Sequence, residues 1–61
     1  MKYTLEAKFL HIGWKESIHD RPLEPLPKKR LEAKYRAGQG WRPYRVVRGK
    51  KVVYTPRFTA R

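Results

Sequence analysis

Tyr3, Leu5, Ala7 and Phe9 alternate with Lys2, Thr4, Glu6 and Lys8. This period of two makes one face of an extended chain apolar and predicts a half-buried β-strand. The phase then changes, because Leu10, Ile12 and Trp14 fall on the opposite parity, with Gly13 between the last two. A bulge, a bend or a strand buried on both faces near residues 9–12 reconciles the two halves.

Residues 20–27 read Asp-Arg-Pro-Leu-Glu-Pro-Leu-Pro, with three prolines that each fix φ and remove a backbone donor. They predict an extended, proline-rich connector. Residues before proline avoid helical angles, so a helix is expected to begin only at Pro25 or Pro27, where proline is tolerated. The strong helix formers of Lys28-Lys29-Arg30-Leu31-Glu32-Ala33-Lys34-Tyr35-Arg36-Ala37 follow, and Gly38 offers a C-terminal stop. Leu31 and Tyr35, four apart, are the expected sheet-facing pair, with Lys28, Glu32 and Arg36 as a solvated charged row.

Tyr44-Arg45-Val46-Val47-Arg48-Gly49-Lys50-Lys51-Val52-Val53-Tyr54 is close to a chemical palindrome and predicts a β-hairpin. Glycine as the first of two central residues, Gly49-Lys50, fits a type II′ turn. That register sets Val47 against Val52, Val46 against Val53 and Arg48 against Lys51, and either valine pair is a candidate for the core. Opposed cations cost a fraction of a kcal/mol. Pro56 ends the last strand, and residues 55–61 read as a flexible basic tail. The pattern as a whole predicts one α+β domain spanning residues 1–61, a β-α-β-β chain whose antiparallel sheet packs on one short helix.

Length and charge sharpen this picture. With 61 residues and no cysteine, the chain has no disulfide or thiolate metal site to reinforce a small core. Nothing approaches the roughly 18–20 apolar residues of a membrane span, and no signal-peptide core follows Met1, so a cytoplasmic protein without membrane contact is expected. The formal charge of +11 is lopsided: residues 1–32 carry seven Lys/Arg against five Asp/Glu, and residues 33–61 carry nine against none. Such a surface speaks about partners rather than fold.

Lysine and arginine neutralise phosphates, and an aromatic plane can stack on an unpaired base. Arg42, Arg45, Arg48, Lys50 and Lys51 are therefore the first candidate contacts, followed by Arg36 and Arg57. Trp41 and Tyr44, flanked by arginines, are candidate stacking residues. A chain this small also needs its large side chains inside, so core burial is the leading expectation for Trp41 and an equal alternative for Tyr44. Lys28, Lys29 and Arg30 form a possible second patch, set awkwardly at the positive end of a helix dipole. No helix-turn-helix or zinc-finger signature supports sequence-specific base reading. His11 and His19 are the available general bases, with Glu16, Ser17 and Asp20 near the second, but sequence neighbours do not make a triad. No catalytic residue, metal site, cofactor or small-molecule substrate is implied.

The segments Leu5-Glu6-Ala7, Arg30-Leu31-Glu32-Ala33 and Tyr44-Arg45-Val46-Val47-Arg48 lie in the order strand, helix, strand pair. From Tyr3 to Tyr54 this layout resembles very small proteins encoded by bacterial viruses, and among them the small host RNA polymerase inhibitors of T7-like phages. The resemblance is one of layout, carries no functional residue across, and pairs a basic chain with inhibitors of acidic surface. It implies a non-enzymatic effector that acts in the host cytoplasm by occupying a surface. The expected function is regulation of transcription or another nucleic-acid process through the basic aromatic hairpin. The alternatives are an inhibitor lodged in or near the nucleic-acid cleft of RNA polymerase, or a ribosome-associated RNA-binding protein.

Overall fold

The alternating N-terminal segment is strand β1 (Thr4–Phe9), in a computed structural model that describes residues 2–61. β2 (Gly13–Glu16), α1 (Leu26–Gly38), β3 (Tyr44–Arg48) and β4 (Lys51–Tyr54) follow. The fold is α+β, with one helix and a four-stranded antiparallel sheet in the order β2-β1-β3-β4. The chain is thus β-β-α-β-β, one strand more than the pattern predicts. The change of phase after Phe9 is a reversal of direction: residues 10–12 form a turn, Gly13 takes φ +80°, and β2 returns alongside β1 with Trp14 opposite Lys8. Four residues are too few for alternation to announce a strand.

Leu5 opposes Val46 and Ala7 opposes Tyr44, so the two central strands present one continuous apolar face. Ala33 and Ala37 of α1 complete the buried core on that face, with Tyr3, Phe9, Leu26, Val53, Tyr54 and Phe58 packed around it. The β3–β4 hairpin turns at Gly49, whose φ of +60° with no positive φ at Lys50 fits the II′ geometry. Arg48 opposes Lys51 and Val47 opposes Val52 as expected, but a bulge between Val46 and Val47 sets Val46 against Tyr54 instead of Val53. Val46 and Val47 are both buried, whereas Val52 is exposed.

The helix begins at Leu26, between the two expected prolines, with Pro25 as its extended N-cap residue. Its stop lies further on than Gly38. Gln39 is still right-handed, and Gly40 takes φ +80° while its N–H donates to the Ala37 carbonyl at 3.1 Å. The glycine in the left-handed region is therefore Gly40.

The helix is also rotated from its expected setting. Leu31 and Tyr35 are 69% and 62% exposed, and the buried row is Lys29, Ala33 and Ala37. Two positions at about 100° each separate the rows, which places them on opposite sides of the helix. The physical reason is Lys29, which is not part of an exposed basic patch. Its amine donates to Asp20 Oδ1 at 2.7 Å and to the Tyr3 carbonyl, and both charged side chains are only 1% exposed. The same Asp20 oxygen accepts the Leu5 N–H at 3.0 Å. Asp20 therefore anchors the proline-rich connector to β1.

Residues 55–61 form no helix or strand but lie along the body rather than trailing from it. Pro56 is buried, Phe58 packs on the core, and the Arg61 N–H donates to the Gly40 carbonyl at 3.0 Å.

Gly38→Ala is expected to raise stability by up to about 1 kcal/mol, since Gly38 is helical and a Cβ there meets nothing within 4 Å. Gly40→Ala is expected to lower it by about 1–3 kcal/mol: a Cβ there is strained by φ +80° and sits 3.2 Å from the Arg61 backbone nitrogen. Urea unfolding distinguishes the two, and a stabilising Gly40→Ala would contradict the assigned stop. Lys29→Ala leaves the Asp20 carboxylate buried without its cation and is expected to cost about 3–5 kcal/mol, comparable with the whole stability of so small a domain. Far-UV circular dichroism should then show an unfolded chain. The double variant Lys29→Met with Asp20→Asn removes both charges, keeps an oxygen for the Leu5 N–H, and should recover the folded signal.

Candidate functional site

β3 carries the predicted cations toward both ends of the sheet. At one end, the turn at Gly49 holds Arg48, Lys50 and Lys51, all exposed. At the other, the chain enters β3 through Trp41, Arg42 and Pro43. Arg42 and Arg48 are six residues apart on an extended chain, about 20 Å at roughly 3.3 Å per residue. The first candidate contacts, Arg42, Arg45, Arg48, Lys50 and Lys51, therefore do not lie together: Arg42 and the tip cations are separated by a stretch whose members are otherwise engaged.

In that stretch Tyr44 is a buried core residue opposite Ala7, which removes it as a stacking candidate. Arg45 lies on the sheet face away from the helix. Its Nε donates to Glu6 Oε1 at 2.8 Å, and its guanidinium sits over the Trp14 ring at 4.3 Å from the centroid. A phosphate contact by Arg45 would compete with Glu6. Arg36 is held 3.4 Å from Glu32 on its own helix, one turn back. Arg57 is exposed. Of the possible second patch, Lys28 and Arg30 are exposed, Arg30 lying over Tyr54 at 5.1 Å, and Lys29 is buried as described.

The end that carries Trp41 is concave. The β1–β2 turn, the loop entering β3 and the C-terminal segment enclose an open groove of about 750 Å³. Its floor is set by an extra rung of pairing, as the Lys8 N–H donates to the Pro43 carbonyl at 3.0 Å and so aligns Phe9 with the loop. Arg42 covers the Phe9 ring at 4.4 Å. Ile12 and Phe58 supply apolar walls, and Lys8 and His11 add polar groups. Trp41 is 71% exposed, contrary to the expectation of core burial, and the Arg61 guanidinium lies 5.6 Å from its ring centroid. No carboxylate lines the groove.

Most of these groove residues escape a reading that concentrates on residues 33–61. The available signal was the change of phase at residues 9–12, which leaves Leu10 and Ile12 with no apolar face to join and exposes both in the turn. Ser17 and Asp20, the neighbours of His19, are turned to structural ends. Ser17 Oγ accepts the His19 N–H at 3.1 Å, and Asp20 holds Lys29 and Leu5. Among the described residues, no group of three or more His, Cys, Asp or Glu is placed to hold a metal ion. No helix among them is long and apolar enough to cross a membrane.

Compared with known proteins, the chain matches no family model, no curated protein and no solved structure.

Proposed function

We propose that this chain is a small, non-enzymatic nucleic-acid-binding protein that regulates transcription or another nucleic-acid process by occupying a surface. The observation that carries this reading is how little of the charge the fold uses. The Lys29–Asp20, Arg36–Glu32 and Arg45–Glu6 pairs engage three of 16 basic and three of five acidic residues, which leaves thirteen cations and two carboxylates outside these ion pairs. The surplus that they leave equals the whole formal charge of +11. A polyanion neutralises such a surplus and gains entropy as its condensed counterions are released. At the hairpin tip, Arg48 and Lys51 oppose each other with Lys50 beside them, an arrangement that repels itself in the free protein and is relieved by a bound phosphate.

A protein-directed alternative has its own support. Leu31 and Tyr35 form an exposed apolar strip on the outer face of α1, which fits a protein surface better than a phosphate backbone. On this alternative the target is a nucleic-acid-handling machine such as RNA polymerase, and the complex survives nuclease treatment of a host lysate.

Direct binding is tested by titrating short single- and double-stranded DNA and RNA between about 50 and 200 mM salt. Affinity is expected to fall steeply, with log K linear in log salt, and a flat response would remove the proposal. Arg48→Ala combined with Lys51→Ala should lower the magnitude of the slope by about 2, one for each cation that no longer meets a phosphate. Stability should stay level or rise by a fraction of a kcal/mol as the opposed cations are removed.

A further inference from the structure

We infer that the groove between the β1–β2 turn and the loop entering β3 is a stacking site for an unpaired base, so that the nucleic acid bound there is single-stranded. This rests on the preceding reading and adds the form of the ligand and the residue that distinguishes it. Trp41 is the key. A chain with a core as small as Leu5, Ala7, Ala33, Ala37, Tyr44 and Val46 leaves a full indole 71% exposed, although burying it would stabilise the domain.

The indole is exposed on a braced loop. On its N-terminal side Gly40 is buried, turned at φ +80° and tied through its carbonyl to the Arg61 N–H. On its C-terminal side the Pro43 carbonyl accepts the Lys8 N–H. A loop whose backbone is tied on both sides of Trp41 loses little backbone freedom when a ligand settles on its ring.

The rim chemistry narrows the ligand class. Arg61 borders the indole, Arg42 covers the neighbouring Phe9, and Lys8 adds a third cation without any carboxylate in the lining. An apolar side chain of a protein partner would satisfy the ring and leave the cations unused, and a simple anion would do the reverse. A nucleotide has a planar base and an attached phosphate, and so matches both. Within a duplex the interior bases have both faces covered by their neighbours, so the bases free to lie on Trp41 without unstacking a helix are those of a single strand. The groove volume of about 750 Å³ falls within the range of small-ligand sites, roughly 300–1,000 Å³.

The hairpin tip, about 20 Å away along β3, lacks such a ring beside its exposed cations and is suited to backbone contact on either form of nucleic acid. The two ends therefore differ in what they can discriminate.

The test measures fluorescence anisotropy with labelled single-stranded DNA, single-stranded RNA and duplex DNA of equal length, using the full chain and its Trp41→Ala and Trp41→Phe variants. Trp41→Ala is expected to weaken binding to both single strands by roughly 5- to 100-fold while leaving duplex affinity and the salt slope unchanged. Trp41→Phe should restore most of the loss because it returns an aromatic face. Circular dichroism checks that the folded signal is retained, as expected for a side chain so exposed. Equal weakening on duplex and single strand, or no weakening on either single strand, overturns the stacking site. If binding then remains steep in salt, the phosphate-contact reading stands without it. Absence of salt-dependent binding to every oligonucleotide removes both.

Discussion

The buried contact between Lys29 and Asp20 is the constraint on which the remaining geometry depends. One carboxylate oxygen accepts both the Lys29 amine and the Leu5 N–H, and the same amine reaches the Tyr3 carbonyl. Three separate parts of the chain meet there: the first strand with the residue before it, the loop after β2 and the first turn of the helix. Such a pair is a poor source of net stability, because desolvating two charges offsets most of their attraction. Asp20 Oδ2 is also buried without a partner among the described residues. What the pair supplies is orientation. With Lys29 directed at β1, Ala33 and Ala37 must face the sheet, and Leu31 and Tyr35 must face outward.

That rotation determines how thin the core is. A helix that presents alanines can lie close to β1 and β3, but it buries few apolar atoms of its own. The aromatic and aliphatic groups around the edge therefore matter more than in a larger domain. Phe58 and Pro56 bring the last residues onto the body, and Arg61 closes against Gly40. A basic tail thereby becomes part of the groove wall instead of a separate polyanion-binding arm. Mutual repulsion among the surplus cations acts against this compact state, so a neutralising partner and the fold should stabilise each other.

The sequence was informative wherever a residue's role is decided by its near neighbours. The period-two run at Tyr3–Phe9, the prolines before Leu26 and the glycine at position 49 each specify local backbone, and each lies where it was expected. Legibility ended where distant residues compete. Leu31 and Tyr35 make the better apolar row by composition, and only the positions of Asp20 and Tyr3 in space explain why a lysine row is buried instead. Strand β2 was hidden because it is short and follows a turn that contains two large apolar residues, Leu10 and Ile12. The groove was hidden for a related reason, since Phe9, Ile12, Trp41 and Phe58 belong to three separate segments brought together by the sheet ends.

The opposite placement of the hairpin tip and the groove bears on what a net charge of +11 means. A uniform positive surface would attract any polyanion and distinguish none, because phosphate contact carries no information about base or strand form. Here two sets of cations stand about the length of β3 apart: Arg48, Lys50 and Lys51 with no aromatic platform, and Lys8, Arg42 and Arg61 around an exposed indole. On the function proposed above, the first set contributes affinity and rate of encounter to every nucleic acid alike, and the second responds to whether a base is paired. On that proposal, a protein too small to enclose a ligand separates attraction from discrimination by mounting them at opposite ends of one central strand whose middle, Tyr44 to Val47, is committed to the core and to the Glu6 pair.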